Sequence, residues 1–284
     1  MESVNFEGIV LSGGGIKGIL SLGALHYYYE KGTYNHNDTQ IYSGTSVGAA
    51  ISTLLLCGYT PMEIFMQVYR MHNLFSMSPT ITDITNGMGV LPIESFSYKI
   101  KELITNKFNY IPTFLELYTQ TNKRLIITAS NISKMREENY KYDTHTDMSV
   151  LLATELSCCL PIVFHRMKYE GDYISDGGLT NNFPVECIDE KKKVLAIITT
   201  CNDYGEFDEE FLPYFYKMMF LPIEINNRLK MKLCGPNVTL VKIKHACSIF
   251  ESYISEDRKM DMFMVGYQAA EYKDQTEYIF VEGM

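Results

Sequence analysis

The chain contains no tryptophan, and its seven cysteines include no C-x-x-C pair. The odd number, with Cys57, Cys158, Cys159 and Cys201 in apolar patterns, points to reduced, buried thiols rather than a disulfide framework or a zinc site. Basic residues are the minority: 25 Lys and Arg against 34 Asp and Glu leave a net charge of −9. Without a broad basic surface, nucleic acid is excluded as the main partner. Lys191–Lys193 and the Arg228, Lys230, Lys232 alternation read as local solvated surface. No apolar run reaches the ~18 residues that a membrane span needs, so a membrane would be met from one side only. The acidic start MESVNFE leads straight into a strand and does not read as a signal peptide. The expectation is a cytoplasmic, intracellular protein, peripheral where it touches a membrane. Linkers rich in Pro, Ser or Gly are missing, as are internal repeats. With 284 residues and 46% apolar content, one sizeable core and a single domain over 1–284 are expected.

What is present is a regular alternation of strands and helices. Phe6–Leu11 reads as a strand, followed by the glycine loop Gly13–Gly18 and a helix to Glu30. A second strand over 39–43 leads to Ser46 and a helix ending near Cys57. Thr60-Pro61-Met62-Glu63 is a capping box that opens a helix to about Asn73. Residues 76–91 form an unusually long loop. Helices are expected at 93–107 and 112–119, strands at Arg124–Ala129 and Tyr140–Tyr142, and a helix at Met148–Cys159 stopped by Pro161. A hairpin, Phe164–Tyr169 and Tyr173–Ser175, ends in Asp176-Gly177-Gly178. A helix near Val185–Glu190, the core strand Val194–Thr200, an acidic loop Asp203–Glu210 and a helical stretch Phe211–Lys232 interrupted by Pro213 and Pro222 follow. Strand Val238–Ile243 and helix Asp257–Lys273 close the pattern. It predicts an α/β fold: three layers, α/β/α, around a mainly parallel central sheet.

Three features fall at strand ends, where open α/β sheets carry their sites. Gly44-Thr-Ser46-Val-Gly48 between a strand and an apolar helix meets the requirement for a nucleophile elbow. In the glycine loop, Gly13, Gly14, Gly15 and Gly18 let backbone N–H groups turn toward one point at a helix N-terminus. Asp176, on the tight turn with Gly177 and Gly178, supplies a carboxylate. A nucleophile, a base and an anion-binding nest are the minimum for acyl transfer through a serine ester. An ordinary carboxylate is a poor base for a hydroxyl, so Asp176 must be partly desolvated.

Gly-Gly-Gly-Ile-Lys-Gly near the N-terminus, then Gly-Thr-Ser-Val-Gly, then Asp-Gly-Gly-Leu-Thr-Asn-Asn-Phe-Pro resemble the motifs of the patatin-like phospholipases. The segment Ser157-Cys-Cys-Leu-Pro161-Ile-Val-Phe164 resembles the one preceding their Asp loop. The resemblance covers about residues 5–200, leaving 201–284 to complete the sheet and outer helices. It implies a serine acyl hydrolase acting on phospholipids or related lipids, with a Ser–Asp dyad, no histidine and no cofactor or metal. Ser46 would be the nucleophile and Asp176 the proton acceptor. The oxyanion hole would be the loop of Gly13, Gly14, Gly15, Lys17 and Gly18, with Gly44, Gly48, Gly177 and Gly178 as supporting glycines. Lys17 stands where the family usually has Arg, keeping the charge without the planar fork.

Alternative readings use the same residues. Gly13–Gly18 also fits G-x-G-x-x-G of a nucleotide- or anion-binding loop, but Asp38 precedes the second strand instead of closing it. Ser46, Asp176 and His245 have the chain order of an α/β-hydrolase triad, yet the elbow comes too early for that fold. A catalytically idle homologue docking on membranes or proteins is a further alternative. Phe211–Lys232, dense in Phe, Tyr and Met, reads as core or as an interfacial lid. Sequence leaves the choice of lipid and the oligomeric state open.

Overall fold

A computed structural model describes residues 5–71, 89–200, 211–245 and 254–281. Residues 1–4 of the acidic start, the end of the helix expected to reach Asn73, most of the long loop at 76–91, the acidic loop Asp203–Glu210, Cys201 and Cys247 lie outside the described residues. In chain order the strands are β1 (Gly8–Leu11), β2 (Ile41–Thr45), β3 (Arg124–Asn131), β4 (Arg136–Tyr140), β5 (Met167–Tyr169), β6 (Asp172–Asp176), β7 (Val194–Thr200) and β8 (Val238–Lys244). The helices are α1 (Gly18–Glu30), α2 (Val47–Leu56), α3 (Pro61–Tyr69), α4 (Glu94–Phe108), α5 (Phe114–Thr121), α6 (Val150–Cys158), α7 (Gly178–Asn181), α8 (Phe211–Lys232) and α9 (Glu256–Val281).

The sheet runs β5-β6-β3-β2-β1-β7-β8, with β4 also on β3. β3, β2, β1, β7 and β8 are parallel, and β4, β5 and β6 run antiparallel at one side. From β1 the chain builds outward one way to β2 and β3. It later returns to the other side of β1 for β7 and β8. β1 is therefore the switch point, the place where such sheets open a crevice. Its strands read as unbroken apolar runs because both faces are covered. Ile9, Leu11, Leu195 and Ile197 face the larger core; Val10, Ala196 and Ile198 face a smaller one with Phe183 and Ile188. Helices thus cover both faces, as the α/β/α expectation required.

The capping box at Thr60 forms: Thr60 Oγ1 accepts from the Glu63 N–H at 3.2 Å, and Glu63 Oε2 accepts from the Thr60 N–H at 2.7 Å. Elsewhere the sequence misled. The strand expected at Tyr140–Tyr142 is β4, four residues earlier, because its partly polar side chains hide the alternation. In place of a helix at Val185–Glu190 there is one tight 3-10 turn, Val185–Cys187, and the short α7 stands before it. α8 runs unbroken through both prolines. Pro213 occupies the first turn, where no intrahelical N–H is required, and Pro222 is accommodated inside the helix.

The chain beyond residue 200 is fastened to the start of the fold by α9, which packs along α1. The two helices touch backbone to backbone. A Cβ on Gly23 would collide with the Phe263 carbonyl, and one on Gly266 with the Leu20 carbonyl. Gly266→Ala is expected to push the helices apart and destabilise the protein by about 1–3 kcal/mol, as overpacking does. Chemical denaturation checks this, and an unchanged midpoint refutes the close crossing.

Candidate active site

Strand register brings the two candidate groups together. β4 shares Ile127 and Thr128 with β2, and shares Ala129–Asn131 with β6. A strand has two edges, so β2 and β6 lie end to end on the edge opposite β4. Thr45 ends β2 beside Thr128, and Asp176 ends β6 beside Ala129. One strand is parallel to β3 and the other antiparallel, so they run at one another and stop at the same point. Ser46 Oγ donates to Asp176 Oδ2 there at 2.7 Å.

Ser46 has φ 53° and ψ −127°. A non-glycine residue there is strained by about 1–3 kcal/mol, a feature that clusters at functional sites. The turn closes because Gly44 and Gly48 have no side chains. A Cβ on Gly44 would strike the Gly48 backbone, and one on Gly48 would strike the Leu11 and Ser12 carbonyls. Ser157 pins the strained amide: its Oγ accepts from the Ser46 N–H at 2.8 Å and donates to the Thr128 carbonyl at 2.6 Å. In the sequence Ser157 stands in the segment before the Asp turn with little to mark this task. The signal was a hydroxyl in the last turn of a mostly apolar helix.

Asp176 is buried, at 5% exposure. Its Oδ1 accepts from the Gly178 N–H at 2.7 Å, and its carbonyl accepts from Ser130 Oγ at 2.8 Å. Burial pushes its carboxyl up to about 6, while the hydrogen bonds from Ser46 and Gly178 pull the other way. The desolvated carboxylate expected from the sequence is in place. Gly177 lies against the Thr128 carbonyl so closely that a Cβ would collide with it.

The glycine loop ends β1, next to β2. A Cβ on Gly13 would lie 3.2 Å from Ser46 Cβ, so the loop passes beside the serine. The Gly13 N–H is engaged, donating to the Asn182 carbonyl at 3.1 Å. Those of Gly14 and Gly15 donate to no described residue. Ser12 Oγ anchors the loop to β7 by accepting from the Thr199 N–H at 3.1 Å. Lys17 is buried in the 3-10 turn Gly15–Lys17 and folds back over Gly14; its ammonium forms no ion pair or hydrogen bond with a described residue.

The other candidate groups are not gathered here. His245 follows β8, three strands from β2, or about 14 Å by strand spacing alone. Asp38 accepts from Asn5 and Asn35 at the opposite end of the sheet from the glycine loop. Among the described residues, no three His, Cys, Asp or Glu side chains are grouped to hold a metal ion. No described helix is long and apolar enough to cross a membrane.

Flanking Asp176, Ser175 and Leu179 line a cavity of about 430 Å³. Its other walls are mostly apolar, including Ile162, Phe164, Tyr173 and Ile174. Ile162 has φ 69°, a strained value for a β-branched residue. Arg166 also lines the cavity, 5.5 Å from the Tyr173 ring, and Lys168 lies 4.4 Å from the same ring.

Comparison with known proteins gives a consistent picture. The sequence pattern described as Patatin-like phospholipase matches residues 9–187. A protein described as "Probable lipid hydrolase 463L" from Invertebrate iridescent virus 6 is 29% identical over 279 residues, covering 93% of this chain and 88% of that one. "Uncharacterized protein R571" of Acanthamoeba polyphaga mimivirus is 28% identical over 211 residues, covering 72% of this chain and 68% of that one. Among solved structures, VipD from Legionella pneumophila shares the fold with a TM-score of 0.58 at 17% identity, over 96% of this chain and 67% of that one.

The raised carboxyl of Asp176 sets a pH signature on stability. Its neutral form is favoured by folding, so that contribution is full below about pH 4 and is lost as pH rises through about 6. The ionised form costs on the order of 3 kcal/mol. Asp176→Asn should therefore raise the melting temperature at pH 8 and change it little at pH 4. Equal shifts at both pH values would contradict a desolvated carboxylate.

Proposed function

The chain belongs to the patatin-like phospholipase family, and from that premise we propose that it is a serine acyl hydrolase cleaving lipid esters through Ser46 and Asp176. The observation that carries this reading is the 2.7 Å hydrogen bond from the Ser46 hydroxyl, on its strained turn, to a buried carboxylate. The relative described as a lipid hydrolase supports the substrate class.

In this mechanism the ester carbonyl lies over Ser46 with its oxygen toward the glycine loop. Ser46 Oγ attacks the carbonyl carbon as its proton passes to Asp176. A carboxyl near 6 is a better proton acceptor than an ordinary one, yet remains ionised at neutral pH. The resulting oxyanion is met by the Gly14 and Gly15 N–H groups and by the α2 N-terminus. Gly13 takes the structural part, since its N–H already serves Asn182. Collapse expels the alcohol, which takes the proton back from Asp176 and leaves Ser46 acylated. Water then attacks the acyl-enzyme with Asp176 again as base, releasing the fatty acid and free serine.

The apolar cavity beside Asp176 suits an acyl chain, being of the size that small-ligand sites have. Arg166 and Lys168 beside Tyr173 suit the anionic part of an amphiphile. Residues 1–284 act in this reading as one acyl hydrolase domain, with α8 and α9 from its last third.

Ser46→Ala and Asp176→Asn should each lower hydrolysis of a chromogenic short-chain ester by about ten-thousandfold or more, while His245→Ala leaves it little changed. Fluorophosphonate labelling with peptide mapping should place the probe on Ser46. Hydrolysis that survives Ser46→Ala overturns the assignment. For wild type, the rate should climb with pH through about 6 and level off above it, since Asp176 must be ionised to accept the proton. Leu179→Phe, which narrows the cavity, should depress kcat/KM for long-chain esters more than for acetyl esters. An equal loss on both would remove the acyl chain from that cavity.

A further inference from the structure

α8 is apolar on its outer face as well as its inner one. Tyr214, Met218, Leu221, Ile225 and Leu229, with Leu233 just past its end, are 43–79% exposed. Their spacing of three or four residues places them on one face, a stripe about 30 Å long. The inner face packs Ile223, Met219 and Met231 on the core and also carries polar groups. Asn227 is 1% exposed and accepts from Asn182 Nδ2 at 3.4 Å. Asn226 Nδ2 donates to the Thr180 carbonyl at 3.2 Å, and Lys230 pairs with Glu186. A helix whose outer face met only water would carry no such apolar stripe there. An exposed apolar stripe of this length marks an interaction surface.

Charge indicates the occupant. The chain carries a net −9, but α8 holds Lys217, Arg228, Lys230 and Lys232 against one acid, Glu224. Arg228 and Lys232 are exposed beside Ile225 and Leu229 and have no ion-pair partner among the described residues. An apolar stripe edged by cations is the pattern of a helix lying in the plane of an anionic lipid interface. We propose that the outer face of α8 docks the protein on anionic phospholipid bilayers. The hydrolase reading gives this docking its purpose, but the binding stands independently of catalysis. α8 holds Thr180 and Asn182 directly, and Asn182 holds the Gly13 N–H. The docked helix is therefore tied through its inner face to both the Asp176 turn and the glycine loop.

The test uses full-length protein carrying Ser46→Ala, so that vesicles are not consumed. The chain has no tryptophan, so Leu221→Trp introduces a sole indole reporter. Its emission should shift to the blue with phosphatidylglycerol–phosphatidylcholine vesicles, less with phosphatidylcholine alone, and less in high salt. The double variant Leu221→Asp, Leu229→Asp should weaken vesicle sedimentation by about tenfold or more. On the Ser46-containing protein the same double variant should leave short-chain ester hydrolysis unchanged, which separates lost docking from lost folding. Absence of both the shift and sedimentation overturns the proposal. So does a dimer by analytical ultracentrifugation that the double variant dissociates, since the stripe would then bind a second copy. Vesicle binding by a protein that hydrolyses no ester would retain the docking surface and reject the hydrolase reading.

Discussion

A carboxylate withdrawn from water must be held by donors, and the number of donors decides how strongly it still pulls on a proton. Asp176 has two: the hydroxyl of Ser46 and the N–H of Gly178. Two are enough to keep it in the fold and too few to return it to the acidity of a solvated aspartate. Much of the surrounding structure serves that balance. β6 must stop at Ala129 of β3, β2 must stop one residue short of it, and Gly177 must lie on the Thr128 carbonyl. A one-residue slip of either strand would turn the carboxylate or the serine to the other face of the sheet.

The serine side of the pair is maintained by a different device. Its backbone is strained, and strain persists only where neighbours over-determine it. The strand behind, the α2 helix ahead, the Ser157 hydroxyl and the glycine loop alongside supply four independent restraints. The loop is fixed from its own far side by Thr199 of β7, which donates to Ser12, and by Asn182 beyond the Asp turn. The groups that would act on a substrate are thus separated in sequence, yet each is tied to at least one other.

The glycines, Ser46 and Asp176 were legible in the sequence because each answers a local demand: a tight turn, a close backbone approach, a carboxylate on a strand end. The α/β alternation was legible for the same reason. Ser157 was not, since its role depends on which carbonyl and which amide meet at the end of α6. The division among the loop amides was also hidden: only the position of Asn182 shows that Gly13 is occupied while Gly14 and Gly15 are not. The prolines of α8 suggested interruptions that the helix absorbs. Its apolar residues read as core or lid because composition does not say which side of a helix faces out. His36 carries no pattern in the sequence, yet it lies between Tyr29 and Tyr34, where burial lowers its pKa.

The central position of β1 has a consequence for how the chain is made. Its first partner, β2, follows soon after it, but Gly8 on its other edge waits for Val194. At typical synthesis rates the interval is roughly ten to forty seconds. Through that time an apolar strand has one open edge, and the glycine loop lacks the β7 residue that anchors it. A ribosome-bound chain extended past Asp176 but short of β7 carries both Ser46 and Asp176 before the crevice at β1 is complete. Birth of the site is therefore delayed until most of the polypeptide has been translated, and the interval before β7 emerges is when chaperone protection of β1 would matter most.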